Sequence, residues 1–232
     1  MDGSSSTGPW YAGGAVEARA SKCLHEVLRS RAMDATAERL LTAAREVFEE
    51  EGFRGATTRK IAARAGVNEV TLFRHFASKE ELIGAALEHG HRAAMARLDA
   101  AALPAEPRDL DAELRPYLHH VLAAFAAAGR GVRTALAEWE HLPAYHAWLL
   151  GPSERVMADL ERYLEAAAAR GLVRAGVAPE SAAHLLVATL FMHGLLPPLM
   201  PAHFPQGAGA GADGCIDLVL AALRPLEEEN ER

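Results

Sequence analysis

Basic side chains are concentrated in one stretch of the sequence, from residue 53 to residue 79. The stretch contains Arg54, Arg59, Lys60, Arg64, Arg74 and Lys79. Its one acidic residue is Glu69, so the stretch carries +5, and the other residues carry −12 of the chain's net charge of −7. Guanidinium and ammonium groups bind phosphates, and arginine also binds guanine edges in the major groove. A local basic surface on an acidic protein indicates nucleic-acid binding through a small footprint.

Local signals in the same stretch predict two short helices joined by a sharp turn. Thr57 or Thr58 can cap the first helix, because a hydroxyl there accepts a hydrogen bond from a free backbone N–H. The apolar residues of this helix recur at helical spacing and are Ile61, Ala62 and Ala65. Gly66 permits the left-handed conformation that ends the helix, Val67 fills the angle, and Asn68 can cap the second helix. The pattern is that of a helix-turn-helix.

The second of these helices has two distinct faces. Leu72 and Phe76 lie four residues apart and are expected to face inward. The outward residues, which are available to base edges, are Glu69, Val70, Phe73 and Arg74. The sequence therefore predicts that this helix enters the major groove.

Many positions over almost fifty residues also carry a family resemblance. They are Phe48, Gly52, Thr57, Thr58, Ile61, Ala62, Ala65, Gly66, Val67, Thr71, Leu72, Phe73, His75, Phe76, Lys79, Glu80 and Leu82. Through them, residues 36–83 resemble the DNA-binding region of the tetracycline-repressor (TetR) family of one-component regulators. The match is much more specific than a generic helix-turn-helix pattern.

Three positions depart from the pattern of that family. Phe73 stands where relatives usually have a tyrosine, whose hydroxyl reaches a phosphate. Val70 stands where glycine or another small residue is frequent, and Glu69 is acidic where many relatives are basic or neutral. The departures do not change the expected DNA-binding role, but they affect which operator sequence the protein binds.

The resemblance implies a repressor that binds a palindromic operator as a homodimer and is released by a small-molecule effector. The expected DNA-contacting residues are Thr57, Thr58, Arg59, Lys60, Asn68, Glu69, Val70, Thr71, Phe73, Arg74, His75 and Lys79. Among these, Thr58, Lys60, His75 and Lys79 are expected to contact phosphates. Arg74 is the candidate for a guanine edge.

The rest of the sequence predicts helices and no strand. The helix before the basic stretch spans 36–51 and stops at Gly52, and the helix after it spans 79–98, with Ser78 and Glu81 as a capping box. Later helices are expected at 109–128, 131–141, 153–170, 179–196 and 213–224. Gly129, Gly171 and Pro179 serve as the start and stop signals between these helices. Pro116 either kinks the first of them or marks its start, and the Gly-rich run 207–214 is interpreted as a flexible linker.

The fold class is therefore all-α: an N-terminal three-helix DNA-binding domain followed by a larger helical ligand-binding and dimerisation domain. The expected segments are an extension at 1–33, disordered or weakly helical, the helix-turn-helix domain at 34–94, the helical domain at 95–225 and a charged tail at 226–232. Translation from Met33 is the alternative to Met1.

The ends and the cysteines of the chain bear on its location. The N-terminus lacks the basic and apolar regions of a signal peptide, and no stretch has the length and flanks of a membrane span. Cys23 and Cys215 lie far apart and lack metal-ligand spacing. These features favour a reducing cytoplasm and no membrane partner.

The second domain offers candidates for an effector pocket and a dimer interface. The pocket candidates combine aromatic, thioether and imidazole groups and are Tyr117, Phe125, Trp139, His141, Trp148, Met157, His184 and Met192. The last two helices, 179–196 and 213–223, are expected to form the homodimer interface through Leu185, Leu186, Leu190, Leu195, Ile216, Leu218, Val219, Leu220 and Leu223. The alternative is that these residues only fill the core of one chain.

Two Glu-x-x-His pairs suggest a different chemistry. Glu88 with His91 and Glu138 with His141 have the spacing that helix-bundle di-metal carboxylate enzymes use twice. Such a site needs two further inward carboxylates, which the apolar stretches 117–128 and 183–196 do not supply. A helical interaction module without effector is the third possibility. We expect no enzyme, cofactor or metal site.

Overall fold

The computed structural model describes residues 35–141, 146–204 and 207–225, which form eight α-helices and one short 3₁₀ helix without a strand. In chain order the α-helices are α1 (Ala35–Gly55), α2 (Thr58–Ala65), α3 (Glu69–His75), α4 (Lys79–Leu98), α5 (Leu110–Ala137), α6 (His146–Ala169), α7 (Pro179–Leu195) and α8 (Gly207–Leu223). The 3₁₀ helix, Trp139–His141, follows α5. The all-α fold class is confirmed. The predictions for residues 1–33 and 226–232, including Cys23 and the start at Met1 or Met33, lie outside the described residues.

The first four helices enclose a small apolar core. Its buried residues come from all four helices and include Leu40, Phe48, Ile61, Leu72, Phe76 and Leu82. The α2–α3 pair rests on α1, because the inward positions of both short helices are apolar at helical spacing. This core thus holds α3 in place with its outward face toward solvent.

A second and larger core joins α5, α6, α7 and α8. Leu118, Leu160, Leu186 and Ile216 are among its fully buried residues. Helix α4 connects the two cores, since Ile83 is buried in the first and Leu98 in the second. A shift of α4 would therefore change the packing of both cores.

Glycine 129 does not end a helix, and the predicted break between 128 and 131 is wrong. Helix α5 runs through it without interruption from Leu110 to Ala137. A Cβ at Gly129 would lie 3.0 Å from the carbonyl oxygen of Gly194, and a Cβ at Gly194 would lie 2.8 Å from the Cβ of Phe125. The two glycines therefore allow α5 and α7 to approach closely.

Two other helix boundaries differ from those predicted. Helix α8 starts at Gly207, so the Gly-rich run 207–214 is helical rather than a flexible linker. Its helical form is supported by packing, since Ala212 is buried in the larger core. Helix α6 starts at His146 rather than at 153 and contains Pro152. Its first turn is anchored by the His146 ring, which stacks on Trp139 with centroids 3.5 Å apart.

Proline 116 lies inside α5, whose start is fixed elsewhere. The Asp109 carboxylate accepts hydrogen bonds from the N–H groups of Asp111 and Ala112, at 3.0 Å each, and so caps the helix. The helix therefore begins before the proline. Among the described helices, none combines the length and the apolar character that a membrane crossing needs.

Candidate nucleic-acid interface and internal cavity

Side-chain caps and one glycine form the turn between α2 and α3. Thr57, rather than Thr58, is the cap of α2, and its hydroxyl accepts a hydrogen bond from the Lys60 N–H at 3.4 Å. Gly66 ends α2 with a φ of 67°, and its N–H donates to carbonyl groups of the preceding turn. The Asn68 side chain accepts from the Thr71 N–H at 2.7 Å and from the Thr71 hydroxyl at 2.9 Å. Each bond is local, which explains why the sequence predicts this turn.

Helix α3 presents a partly apolar face to solvent. Leu72 and Phe76 are buried, as the helical spacing predicts. Val70 and Phe73 are 71% and 50% exposed, although both are large apolar residues. Arg74 is also exposed. Such a face can contact thymine methyl groups through its apolar side chains and a guanine edge through the guanidinium.

A hydrogen bond links α2 to the first turn of α3. The Thr58 hydroxyl donates to the Glu69 carboxylate over 2.7 Å. The two residues stand at the exposed junction of the helices, where the sequence predicts a phosphate contact for Thr58 and a base contact for Glu69. In the free protein each is therefore already oriented by the other.

Acidic residues of α1 neutralise part of the basic stretch. Arg64 donates to Glu50 at 2.8 Å and to Glu46 at 3.3 Å, and these bonds raise the pKa of the guanidinium. The same contact lowers the pKa of the Glu50 carboxyl below its ordinary value. Lys60 forms an ion pair with Glu51. A charge count limited to residues 53–79 misses these carboxylates, because they precede the stretch in the chain.

Three arginines of the basic stretch remain uncompensated. Arg54 at the end of α1, Arg59 on α2 and Arg74 on α3 are exposed, and none of them forms an ion pair with any residue in the described part of the chain. The uncompensated charge therefore lies at the end of α1 and on the exposed sides of α2 and α3.

Lysine 79 lies at the N-terminus of α4, where it contacts the end of α1. Its Nζ donates to the Phe53 carbonyl oxygen at 2.9 Å and lies 4.2 Å from the centroid of the Phe53 ring. Ser78 caps α4 by accepting from the Glu81 N–H at 3.0 Å. The Glu81 carboxylate reaches back to the Ala77 N–H at 2.7 Å, one residue before the position that a capping box specifies.

A cavity of about 480 Å³ lies between the two halves of the chain. Its wall is mostly apolar and includes Phe48 of α1, Leu98 of α4, Phe125 of α5, Leu149 of α6 and Phe191 of α7. The polar lining residues are Thr42, Arg45, Glu49, His89, His91, Arg97, His146 and Ser153. Arg45 and Glu49 form an ion pair at 2.6 Å. The α1 residues of this wall carry no signal in the sequence, because only the tertiary fold brings α1 against α5.

Of the eight predicted pocket residues, Phe125 lines this cavity. Tyr117 is buried in the larger core and donates to Asp159 at 3.4 Å; burial raises the pKa of the phenol. Trp139 stacks on the lining residue His146, and Met157 packs against the larger core. His184 and Met192 are exposed on α7. The side chains of His141 and Trp148 lie outside the described residues.

The apolar residues predicted for a dimer interface divide into two groups. Six of them are buried within the chain: Leu186, Leu190, Leu195, Ile216, Leu220 and Leu223. Val219 is partly buried. Leu185 on α7 and Leu218 on α8 are 59% and 73% exposed, and Met192, also on α7, is 45% exposed. These three exposed residues, Leu185, Met192 and Leu218, are together called the α7–α8 surface below.

The two Glu-x-x-His pairs lie in different settings. Glu88 is buried on α4, with one carboxylate oxygen 3.7 Å from Arg92. Glu138 follows α5, and its carboxylate accepts from the Phe53 N–H at 3.3 Å. Within residues 35–141, 146–204 and 207–225, no group of three or more His, Cys, Asp or Glu side chains could hold a metal ion. The di-metal alternative therefore has no support in the described residues.

Known proteins resemble a limited part of the chain in sequence. Residues 40–86 match the family described as bacterial regulatory proteins, tetR family. The HTH-type transcriptional repressor Rv3405c of Mycobacterium tuberculosis strain H37Rv is 46% identical over 50 residues, which are 22% of this chain and 27% of that protein. The HTH-type transcriptional regulator UidR of Escherichia coli K12 is 42% identical over 62 residues, which are 27% of this chain and 32% of UidR. The likeness thus covers about a third or less of each relative's length.

The likeness in structure extends over most of the chain. A crystal structure of a bacterial regulatory protein in the tetR family from Rhodococcus RHA1 has a TM-score of 0.65 and covers 84% of this chain and 100% of that chain, at 23% sequence identity. Identity at this level establishes the shared fold only. Residues 40–86 therefore match the DNA-binding region of the tetR family of bacterial regulatory proteins, and the chain shares its all-helical fold with a member of that family.

Proposed function

We propose that the protein is a transcriptional repressor that binds a palindromic DNA operator as a homodimer and leaves it when a small molecule binds. The observation that carries the proposal is the outward face of α3, where Val70, Phe73 and Arg74 are exposed on a helix fixed by the Gly66 turn and the Asn68 cap. A protein with this role acts beside the DNA, in the cytoplasm.

In the proposed complex, α3 enters the major groove and the neighbouring elements contact the DNA phosphates. Glu69, Val70 and Arg74 face the bases, and Arg74 reads a guanine. The exposed Arg59 flanks the groove. Thr58, Lys60, His75 and Lys79 contact phosphates, with Thr57, Asn68, Thr71 and Phe73 completing the surface. Phe73 adds an apolar contact where a tyrosine would donate a hydrogen bond.

The α7–α8 surface supports the homodimer. Leu185, Met192 and Leu218 are large apolar side chains exposed on α7 and α8, and burial of such side chains against a second copy would be favourable. Two copies related by a two-fold axis would pack these helices as a four-helix bundle. The two α3 helices would then reach major grooves about one helical turn apart, roughly 34 to 36 Å.

The cavity supports the effector role. Its apolar wall suits a hydrophobic body, and the Arg45–Glu49 pair with His89, His91 and His146 can bind a few polar groups. Because the wall contains residues of α1 and α4 as well as of α5, α6 and α7, a bound molecule would touch both halves of the chain. Release follows if the effector binds the DNA-free arrangement more tightly than the DNA-bound one.

The test of the proposal is selection of binding sites from a pool of randomised duplexes with the full-length protein. The expected result is enrichment of a palindrome with two half-sites, and Arg74→Ala should relax the preference at one position of each half-site by about 1 to 3 kcal/mol. Absence of any enriched sequence, with binding that depends only on salt, would contradict the proposal.

The same assay examines the dimer. Leu218→Asp places a charge on the α7–α8 surface, where it leaves the core of the single chain intact. The matched control is Leu150→Asp on α6, which changes another exposed leucine. Loss of palindrome binding in the first variant alone supports dimerisation through α7 and α8, and equal behaviour of the two variants counts against it.

A further inference from the structure

Helix α1 is interrupted at Gly52, three residues before its end. Gly52 has φ 70° and ψ −178°, a conformation that is essentially confined to glycine. In a continuous α-helix the N–H of Phe53 would donate to the carbonyl of Glu49, four residues earlier. The kink lies between these two groups, so each needs a partner from elsewhere.

Helix α5 and its C-cap residue, Glu138, supply the two partners. The Thr134 hydroxyl donates to the Glu49 carbonyl oxygen at 3.1 Å. The Phe53 N–H donates to the Glu138 carboxylate at 3.3 Å. Thr134 and Glu138 are four residues apart and therefore share one face at the end of α5. We call this pair the α5 bracket.

The residue held by the α5 bracket also holds Lys79. The Phe53 carbonyl accepts from Lys79 Nζ at 2.9 Å, and the Phe53 ring lies beneath the same ammonium group. The carboxylate of Glu138 and the ammonium of Lys79 are thus connected through one residue of the kink. The position of the lysine at the start of α4 depends on that kink.

From this chain of contacts we infer that Thr134 and Glu138 are positioning residues for DNA binding, which hold the α1 kink so that Lys79 reaches a phosphate. The inference rests on the proposed function, because it assigns two residues of the C-terminal half to operator binding. Neither residue contacts DNA itself.

The α5 bracket lies beside the cavity. Glu49 lines the cavity, together with Gly131 and Ala135 of α5, and a Cβ at Gly131 would lie 3.0 Å from a carboxylate oxygen of Glu49. A molecule that moved Glu49 or the end of α5 would therefore alter the bracket. This gives occupancy of the cavity a short physical route to the N-terminus of α4.

The first test measures amide hydrogen exchange at Phe53 in the full chain. Glu138→Ala removes the acceptor, whereas Glu138→Gln keeps an acceptor oxygen and removes the same charge. Exchange at Phe53 should be about tenfold faster in Glu138→Ala than in Glu138→Gln. The control Glu140→Ala changes an exposed glutamate in the adjoining 3₁₀ helix and should leave the rate unchanged. Equal rates in the Ala and Gln variants would overturn the bracket.

The second test measures the salt dependence of binding to the selected operator. Glu138→Ala and Thr134→Val should each lower the affinity by about tenfold and flatten the salt slope by about one, which is also the change expected for Lys79→Ala. Combining Glu138→Ala with Lys79→Ala should add no further change in slope. Glu138→Gln should behave like the native protein, which separates positioning from the removal of a negative charge.

The outcomes of the second test decide the inference. A native salt slope in Glu138→Ala, at temperatures where the variant is fully folded, would leave the bracket a purely structural role and overturn the inference. If the native protein selects no operator, the proposed function fails, and the positioning role fails with it. The Phe53 exchange rates would then still show whether the bracket exists.

Discussion

The two halves of the molecule achieve their geometry by opposite means. Around α2 and α3, side chains are added at fixed points: Thr57 and Asn68 cap the helices and Gly66 turns the chain between them. Between α5 and α7, side chains are absent: Gly129 and Gly194 let the two backbones approach within contact distance. The DNA-facing half is therefore shaped by neighbours in sequence, and the cavity-bearing half by partners that are distant in sequence.

The largest effect is expected at the α5–α7 contact. Gly194→Leu would place its Cβ 2.8 Å from that of Phe125 and close to the α5 backbone. The free energy of unfolding should fall by about 3 kcal/mol, because the overpacking against α5 outweighs the higher helix propensity of leucine. Urea unfolding followed by circular dichroism measures the change.

The control for this variant is Gly209→Leu, which changes a glycine of α8 that has open space beside it. It should be neutral or slightly stabilising. Comparable losses in the two variants would show that the close approach of α5 and α7 is not what requires glycine.

The next effect is expected at the turn of the helix-turn-helix. Gly66→Ala should lower the free energy of unfolding by about 1 to 2 kcal/mol, because φ is 67° at this position. Gly66→Asn should cost less, since asparagine tolerates the left-handed region better. Chemical denaturation compares the two variants, and an alanine variant as stable as the asparagine variant would refute the role of the left-handed backbone.

A smaller effect is expected at the cap of α3. Asn68→Ala removes the acceptor of the Thr71 N–H and should cost about 1 kcal/mol of unfolding free energy. Asn68→Asp keeps an acceptor and should retain most of the stability. Thermal unfolding of the three proteins measures the difference, and the expectation fails if alanine and aspartate are equally tolerated.

The smallest effect concerns Arg64, whose charge is compensated by α1. Arg64→Gln should leave the salt slope of operator binding unchanged, because Glu46 and Glu50 already neutralise the guanidinium. Arg59→Gln, at an exposed arginine of the same helix, should flatten the slope by about one. Fluorescence anisotropy over a range of salt concentrations tests the pair, and equal slopes for the two variants would contradict the account.

The same contrast explains which features could be predicted from the sequence. The caps at Asn68 and Ser78 and the turn at Gly66 were predictable, and the cap of α2 was limited to Thr57 or Thr58, because each involves residues within four positions of one another. The helical spacing of Ile61 and Leu72 likewise indicated their burial.

Features that depend on tertiary contacts were not predictable in this way. A glycine such as Gly129 indicates a helix end by local rules, and only the presence of Gly194 opposite gives it a packing role. Folding α1 against α2 neutralises Arg64, and folding α1 against α5 places Glu49 in a cavity wall. The cavity joins five helices and has no local pattern in the sequence.

The most direct test of the central claim is binding of the purified native protein to a fluorescent duplex from the region upstream of its own gene. An unrelated duplex of equal length at the same salt concentration serves as the control. The account predicts saturable binding with a preference of about 10³ or more for the upstream duplex. Equal binding to both duplexes, lost on a modest increase in salt, would show only nonspecific electrostatic attraction and would contradict the assignment of α3 as a sequence-reading helix.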